Sequence, residues 1–184
     1  MKKKFLIAAL FFIPFFGISQ VRKPIDSFMG IAFGSDSDTF KRAMIAKGAH
    51  YLGRNPSAGF IGFDHVTHFK RSNILMEAYF VNNKFYQTVL IYSNEAGPAA
   101  IPYYNELIKE INQIYGPGTE NNTFTADHKE GDVNEISDIQ AKKIVYMNYW
   151  LDQNNNKLVI TIDSSLKVFM VYQDSVLAAL TSAK

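Results

Sequence analysis

Two apolar runs, 74–81 and 85–92, are parted only by Asn82 and Asn83, and this constrains the chain more than anything else in it. Both runs are rich in β-branched and aromatic residues. Asparagine tolerates the positive φ that a two-residue primed turn demands, so the stretch predicts a β-hairpin. Such a turn sets the register, with Phe80 opposite Phe85, Met76 opposite Val89 and Ile74 opposite Ile91. Side chains alternate along a strand, so the other face is predicted to carry Glu77, Tyr79, Tyr86, Thr88 and Tyr92. One apolar face and one polar, aromatic face suit an antiparallel sheet that packs on a core through one side.

The segment that follows supplies the cover. Ile101, Tyr104, Leu107, Ile108, Ile111, Ile114 and Tyr115 recur at helical spacing, with charged and amide residues between them. Pro98 or Pro102 suits a first turn, where a missing N–H costs nothing. Gly116 can close the helix in the left-handed region, and Pro117 stops its continuation.

The first twenty residues read as a targeting signal. Lys2, Lys3 and Lys4 precede a short apolar stretch at 5–16, and small residues follow near Gln20. That places the product in the periplasm or outside the cell. No stable membrane insertion is expected after the signal is removed, since no later run approaches about 20 apolar residues. The segment holds three of the nineteen basic residues and none of the seventeen acidic ones, so the remainder has a net charge of −1. The overall charge of +2 therefore gives no reason to expect nucleic-acid binding. Residues 21–184 are of a length for one domain with a sizeable core. The chain has no cysteine, which excludes disulfide staples and thiolate chemistry.

Along the rest of the chain, 28–33 reads as a strand, followed by a short helix over 38–47 whose start is capped by Asp36 and Asp38. A short strand is expected at 49–52, a loop at 53–59 and a strand at 60–69. His65 and His68 form an H-x-x-H pair, but residues three apart on a strand point to opposite faces and cannot share one metal ion. No metal site and no cofactor are expected. Residues 118–143 are acidic and poor in large apolar groups, which predicts a long mobile loop with a short strand near 123–125. A three-stranded meander over 144–151, 158–162 and 168–172 follows, then a short terminal helix. Each half thus offers a helix and then at least three antiparallel strands, a helix-plus-sheet pseudo-duplication in order rather than in sequence.

Motifs that carry chemistry are missing. There is no G-x-S-x-G, no H-E-x-x-H and no Gly-rich phosphate loop, because Gly116-Pro117-Gly118 follows a helix instead of opening one. No catalytic residues are assigned, and a non-enzyme is expected. The entry Phe28, Gly30, Ile31, Phe33, Gly34, the helix ending Ile114-Tyr115-Gly116-Pro117, the strand with Trp150 and the ending Tyr172-Gln173-Asp174 carry a resemblance. Together they resemble small secreted domains of unknown function from Bacteroidetes-type bacteria. Their order is also similar in topology to the β-lactamase inhibitor protein fold, whose disulfides this chain lacks.

These readings predict an α+β fold: an antiparallel sheet with two helices packed on one face. The expected function is non-catalytic binding of a protein, peptide or glycan through a sheet face. A periplasmic small-molecule carrier is the alternative, and an enzyme of unknown class a more distant one. If 145, 147, 149 and 151 face inward, then Tyr146 and Trp150 join Tyr79 and Tyr86 on one outer recognition surface.

Overall fold

The computed structural model describes residues 23–55, 59–93, 97–125 and 130–181; the expected signal at 1–20 lies outside them. A small hairpin of β1 (Ser27–Phe28) and β2 (Ile31–Ala32) comes first, where one strand over 28–33 was expected. Met29 and Gly30 both take positive φ, and that turn divides the run in two. Helix α1 (Ser37–Ala46) starts at Asp36, whose carboxylate accepts from the Thr39 amide and hydroxyl, each at 2.8 Å. The cap is therefore Asp36, while Asp38 sits in the first turn near the positive end of the helix.

Strands β3 (His50–Asn55), β4 (Phe60–His68), β5 (Arg71–Val81) and β6 (Lys84–Tyr92) form a meander after α1. Helix α2 (Ala100–Tyr115) opens the second half. It is followed by β7 (Thr119–Glu120), β8 (Thr123–Phe124), α3 (Glu135–Gln140), β9 (Ile144–Val145) and β10 (Met147–Leu151). Then come β11 (Lys157–Ile162), β12 (Val168–Gln173) and α4 (Ser175–Ala179). Eight strands make one antiparallel sheet in the order β3-β4-β5-β6-β12-β11-β10-β7. Each half contributes a helix and four of these strands. The halves meet where β6 runs against β12, from Gln87 opposite Gln173 to Tyr92 opposite Val168.

One face of the sheet is covered. Phe63, Met76, Phe85, Leu90, Val168, Met170, Leu158 and Ile160 are 0–1% exposed and meet Phe40 and Met44 of α1 and Leu107 and Ile111 of α2. Each such side chain contributes about 1.5–3 kcal/mol of transfer free energy, which is how a chain without disulfides holds together. The N-terminal segment joins this core through Ile25, Phe28 and Ile31. It is pinned by the Ile25 amide, which donates to Asp152 Oδ2 at 3.0 Å. The same carboxylate accepts from the Asn154 and Asn156 amides, so one buried acid organises both the entry strand and the β10–β11 turn.

Three expectations need correction. Asn82 and Asn83 do form the primed turn, at φ of 50° and 60°, and Phe80 does face Phe85. Past that point, however, Tyr79 faces Gln87, so Tyr86 is an extra residue in β6. This bulge shifts every later pair: Met76 faces Leu90, and Leu75 faces Ile91. A one-residue slip exchanges the faces of a strand, so Thr88 and Tyr92 point into the core, and Val89 and Ile91 point away from it. The second correction concerns 118–143: the short strand expected near 123–125 is present as β8, but β7 and α3 also stand where a long mobile loop was expected. Ile139 anchors the segment in the core, and the Gly131 amide donates to Glu135 Oε1 at 2.9 Å. The third is β10, whose phase is the reverse of that expected: Tyr146, Asn148 and Trp150 are buried, and Val145, Met147, Tyr149 and Leu151 are not. No helix among the described residues is long and apolar enough to cross a membrane.

Candidate functional site

The sheet face opposite α1 and α2 is ordered by the strand register. Strand register aligns its side chains in three rows. One runs Leu75, Ile91, Phe169, Thr161, Met147, and the next Glu77, Val89, Val171, Val159, Tyr149. The third runs Phe60, Tyr79, Gln87, Gln173, Lys157, Leu151. Most are half-buried by their own neighbours, and Leu75 is 40% exposed. β-Branched and aromatic residues fill the middle because they fit a pleated surface. The polar groups gather toward one end.

At that end the hydrogen bonds are fixed. Tyr79 Oη donates to Glu77 Oε2 at 2.6 Å, and Gln173 Nε2 donates to Gln87 Oε1 at 2.7 Å. The Tyr79 ring lies 5.5 Å from Phe60 and 6.4 Å from Tyr86. Burial, followed by the bond to Glu77, raises the Tyr79 phenol well above its usual range; burial alone raises Tyr86. Both are neutral donors at neutral pH. Helix α4 borders this end, where Ala178 and Ala179 enclose with Gln87 and Gln173 a shallow hollow of about 350 Å³.

The structure does not bring the four expected aromatic residues onto one surface. Tyr79 and Tyr86 lie on the open face. Tyr146 is 1% exposed and Trp150 is 2% exposed, both on the covered face. Tyr146 packs edge-on to Tyr104 at 5.7 Å and donates its hydroxyl to Glu135. Trp150 Nε1 donates to the Gly116 carbonyl at 2.9 Å and to Asn112 Oδ1 at 3.1 Å. Of the apolar residues that do share the face with Tyr79, Val89 and Ile91 were expected on the covered face, and Phe169 and Val171 were not singled out by sequence. Both alternations of β6 are apolar, so hydrophobic pattern does not reveal the bulge that decides between them.

The H-x-x-H pair also separates. His68 packs against Phe28, Phe69 and Tyr172, with Nδ1 2.8 Å from Tyr92 Oη. Burial, and next the positive charge of Arg71, lower its pKa from 6.5 to about 4. Arg71 is itself held by Glu110 at 2.7 Å and Glu106 at 3.5 Å. An imidazole kept neutral in the fold but free to charge when unfolded makes the unfolded state bind more protons between those two values. The stability this group contributes is therefore complete above pH 6.5 and is lost as pH falls toward 4. The loss reaches on the order of 3 kcal/mol. Urea midpoints at pH 7 and pH 4.5 should differ more for the native protein than for His68→Phe; equal differences would show that His68 titrates normally.

With the geometry in place, the comparisons add nothing to it. No protein-family model, curated protein or solved structure matches this chain.

Proposed function

We propose that the protein is an exported, non-catalytic binding module that engages the folded surface of another protein through the open face of its sheet. The observation that carries this reading is the aligned row Val89, Val171, Val159 and Tyr149, apolar across four adjacent strands. A monomer seldom presents an ordered apolar face of this breadth without using it. The rows cross five or six strands at spacings of about 4.8 Å and lie about 7 Å apart, which gives a few hundred Å², the scale of a small, transient complex. Tyr79, Tyr86 and Tyr149 supply the amphipathic rings that recognition surfaces favour. Export rests on the basic and then apolar start of the chain.

A carrier would need room between the sheet and its helices. That space is filled by Leu107, Ile111, Leu158 and Ile160, all 0% exposed. The larger hollow, about 420 Å³ beside Arg54, Asn55, Phe60 and Asn83, opens to solvent. Both facts favour the face over an internal cavity.

The test is site-specific photocrosslinking in cells that export the protein. A crosslinker at Val171 should give a discrete heavier adduct, whereas one at Lys109 on the exposed side of α2 should give none. Val171→Glu should abolish an adduct formed from Val159 while leaving the melting temperature within a few degrees. No adduct from Val171, or adducts of equal yield from Lys109, would overturn the reading. An adduct of twice the chain mass would replace the foreign partner with a second copy.

A further inference from the structure

Three side chains from two parts of the sequence converge at the start of β3. His50 and Asp64 are cross-strand partners of β3 and β4. Asp64 and His65 are neighbours, and in a regular strand they would point to opposite faces. Here both stand opposite the single residue Leu75, between the pairs Phe63–Met76 and Val66–Ile74. This is a β-bulge, and its extra residue re-aims a side chain. His65 takes a φ of +54°, a left-handed conformation uncommon for a residue with a Cβ. The result is that both imidazoles flank one carboxylate. His50 Nδ1 lies 2.8 Å and His65 Nδ1 3.2 Å from the same Asp64 Oδ1. All the ligand atoms lie within 4.8 Å of one another.

We propose that His50, Asp64 and His65 form a binding site for a divalent late first-row transition ion such as zinc. Two imidazole nitrogens and one carboxylate oxygen are the donor set of an open zinc site, and imidazole selects against magnesium and calcium. Bonds of about 2.0–2.2 Å put neighbouring ligand atoms roughly 2.8–3.6 Å apart around a six- or four-coordinate ion. The two N–O separations, 2.8 and 3.2 Å, already match that spacing. Closing the remaining gap needs only rotation of two imidazoles whose side chains are 65% and 63% exposed. Among the described residues Asp64 is ion-paired with these two histidines and with no lysine or arginine. The carboxylate is thus available to a cation. The ion keeps its outward coordination positions for water.

A surface ion pair is the competing account. A pair so exposed contributes little to stability and requires only one of the two histidines. It gives no reason for the second imidazole to be turned onto the same oxygen. The site does not depend on the sheet-face reading, since crosslinking there requires no metal.

Zinc titration of the untagged, chelator-stripped exported protein by calorimetry tests the proposal. The expected result is one ion per chain with a dissociation constant of about 10 µM or tighter, weakening on acidification as protons compete for the nitrogens. His50→Ala, His65→Ala and Asp64→Asn should each weaken binding at least about tenfold, since even outer-shell changes cost that much. His128→Ala, which removes a histidine that is not one of the three proposed ligands, should not. Zinc should raise the melting temperature of the native protein and not that of His50→Ala. Should a metal-free alanine variant melt lower than the native protein, His50→Gln and His65→Gln repeat the measurement with the volume kept. No saturable binding below about 100 µM would overturn the proposal, as would affinity unchanged in both histidine variants or lost only in His128→Ala.

Discussion

Leu107→Asp is expected to leave no folded protein at 25 °C, whereas Lys109→Asp, two residues on, melts like the native chain. Leu107 is 0% exposed in the middle of α2, between Tyr104 and Ile111 and over the strands of the second half. The substitution forfeits about 2–3 kcal/mol of transfer free energy and then places a carboxylate among apolar groups, at a further several kcal/mol. Together these approach the entire 5–15 kcal/mol that holds a typical domain. Far-UV circular dichroism and thermal melts of the two variants decide it. Matching melting temperatures would mean that α2 does not carry the core. Ile108, central in the stripe as the sequence shows it, is a weaker probe because it is only half-buried, and Ile114 is 40% exposed.

The second large effect is at Trp150. Trp150→Ala should destabilise the fold by about 3–5 kcal/mol, the usual cost of removing a buried tryptophan. The indole also donates to the Gly116 carbonyl and Asn112 Oδ1, so the variant leaves the end of α2 without its partner. Trp150 is the only tryptophan in the chain, and native fluorescence therefore reports on this site alone. It should be blue-shifted and move to the red on unfolding. Gly118 lies against the ring, and a Cβ there would stand 2.5 Å from it. Gly118→Ala must displace the indole, so the same emission should change. Water-like emission from the native protein, with Trp150→Ala within about 1 kcal/mol of it, would put the residue back on the surface.

How much of this was legible in the sequence follows from how local each determinant is. The Asn82-Asn83 turn, the cap at Asp36 and the stop at Gly116-Pro117 are set by residues in contact along the chain, and each is where it was expected. The faces of β6 and β10 were not legible. In β6 the pattern is apolar on both alternations, and only the pairing with β5 and β12 selects one. In β10 the choice went to Tyr146 and Trp150 because their polar tips find Glu135, Asn112 and Gly116, partners that the sequence does not bring near. The same non-locality hid His50 from Asp64, fourteen residues apart and joined by strand register. Segment 118–143 was misread because Phe124 and Ile139 are few but well placed, and composition counts residues without weighing position.

The two ends of the sheet bear on how any partner is chosen. At one end β7 is two residues long. At the other, β3 is broken by a register shift between Tyr51 and Gly53 and carries Arg54 on its exposed stretch. Neither end offers a straight row of free amides and carbonyls, so both are poor templates for an added strand. That protects a cysteine-free chain from polymerising through its own backbone. It also means that a visiting molecule gains no main-chain ladder here, which is indifferent to sequence. Under the proposed sheet-face reading, discrimination would come from side chains read face-on, and a few substitutions among them would be enough to redirect it.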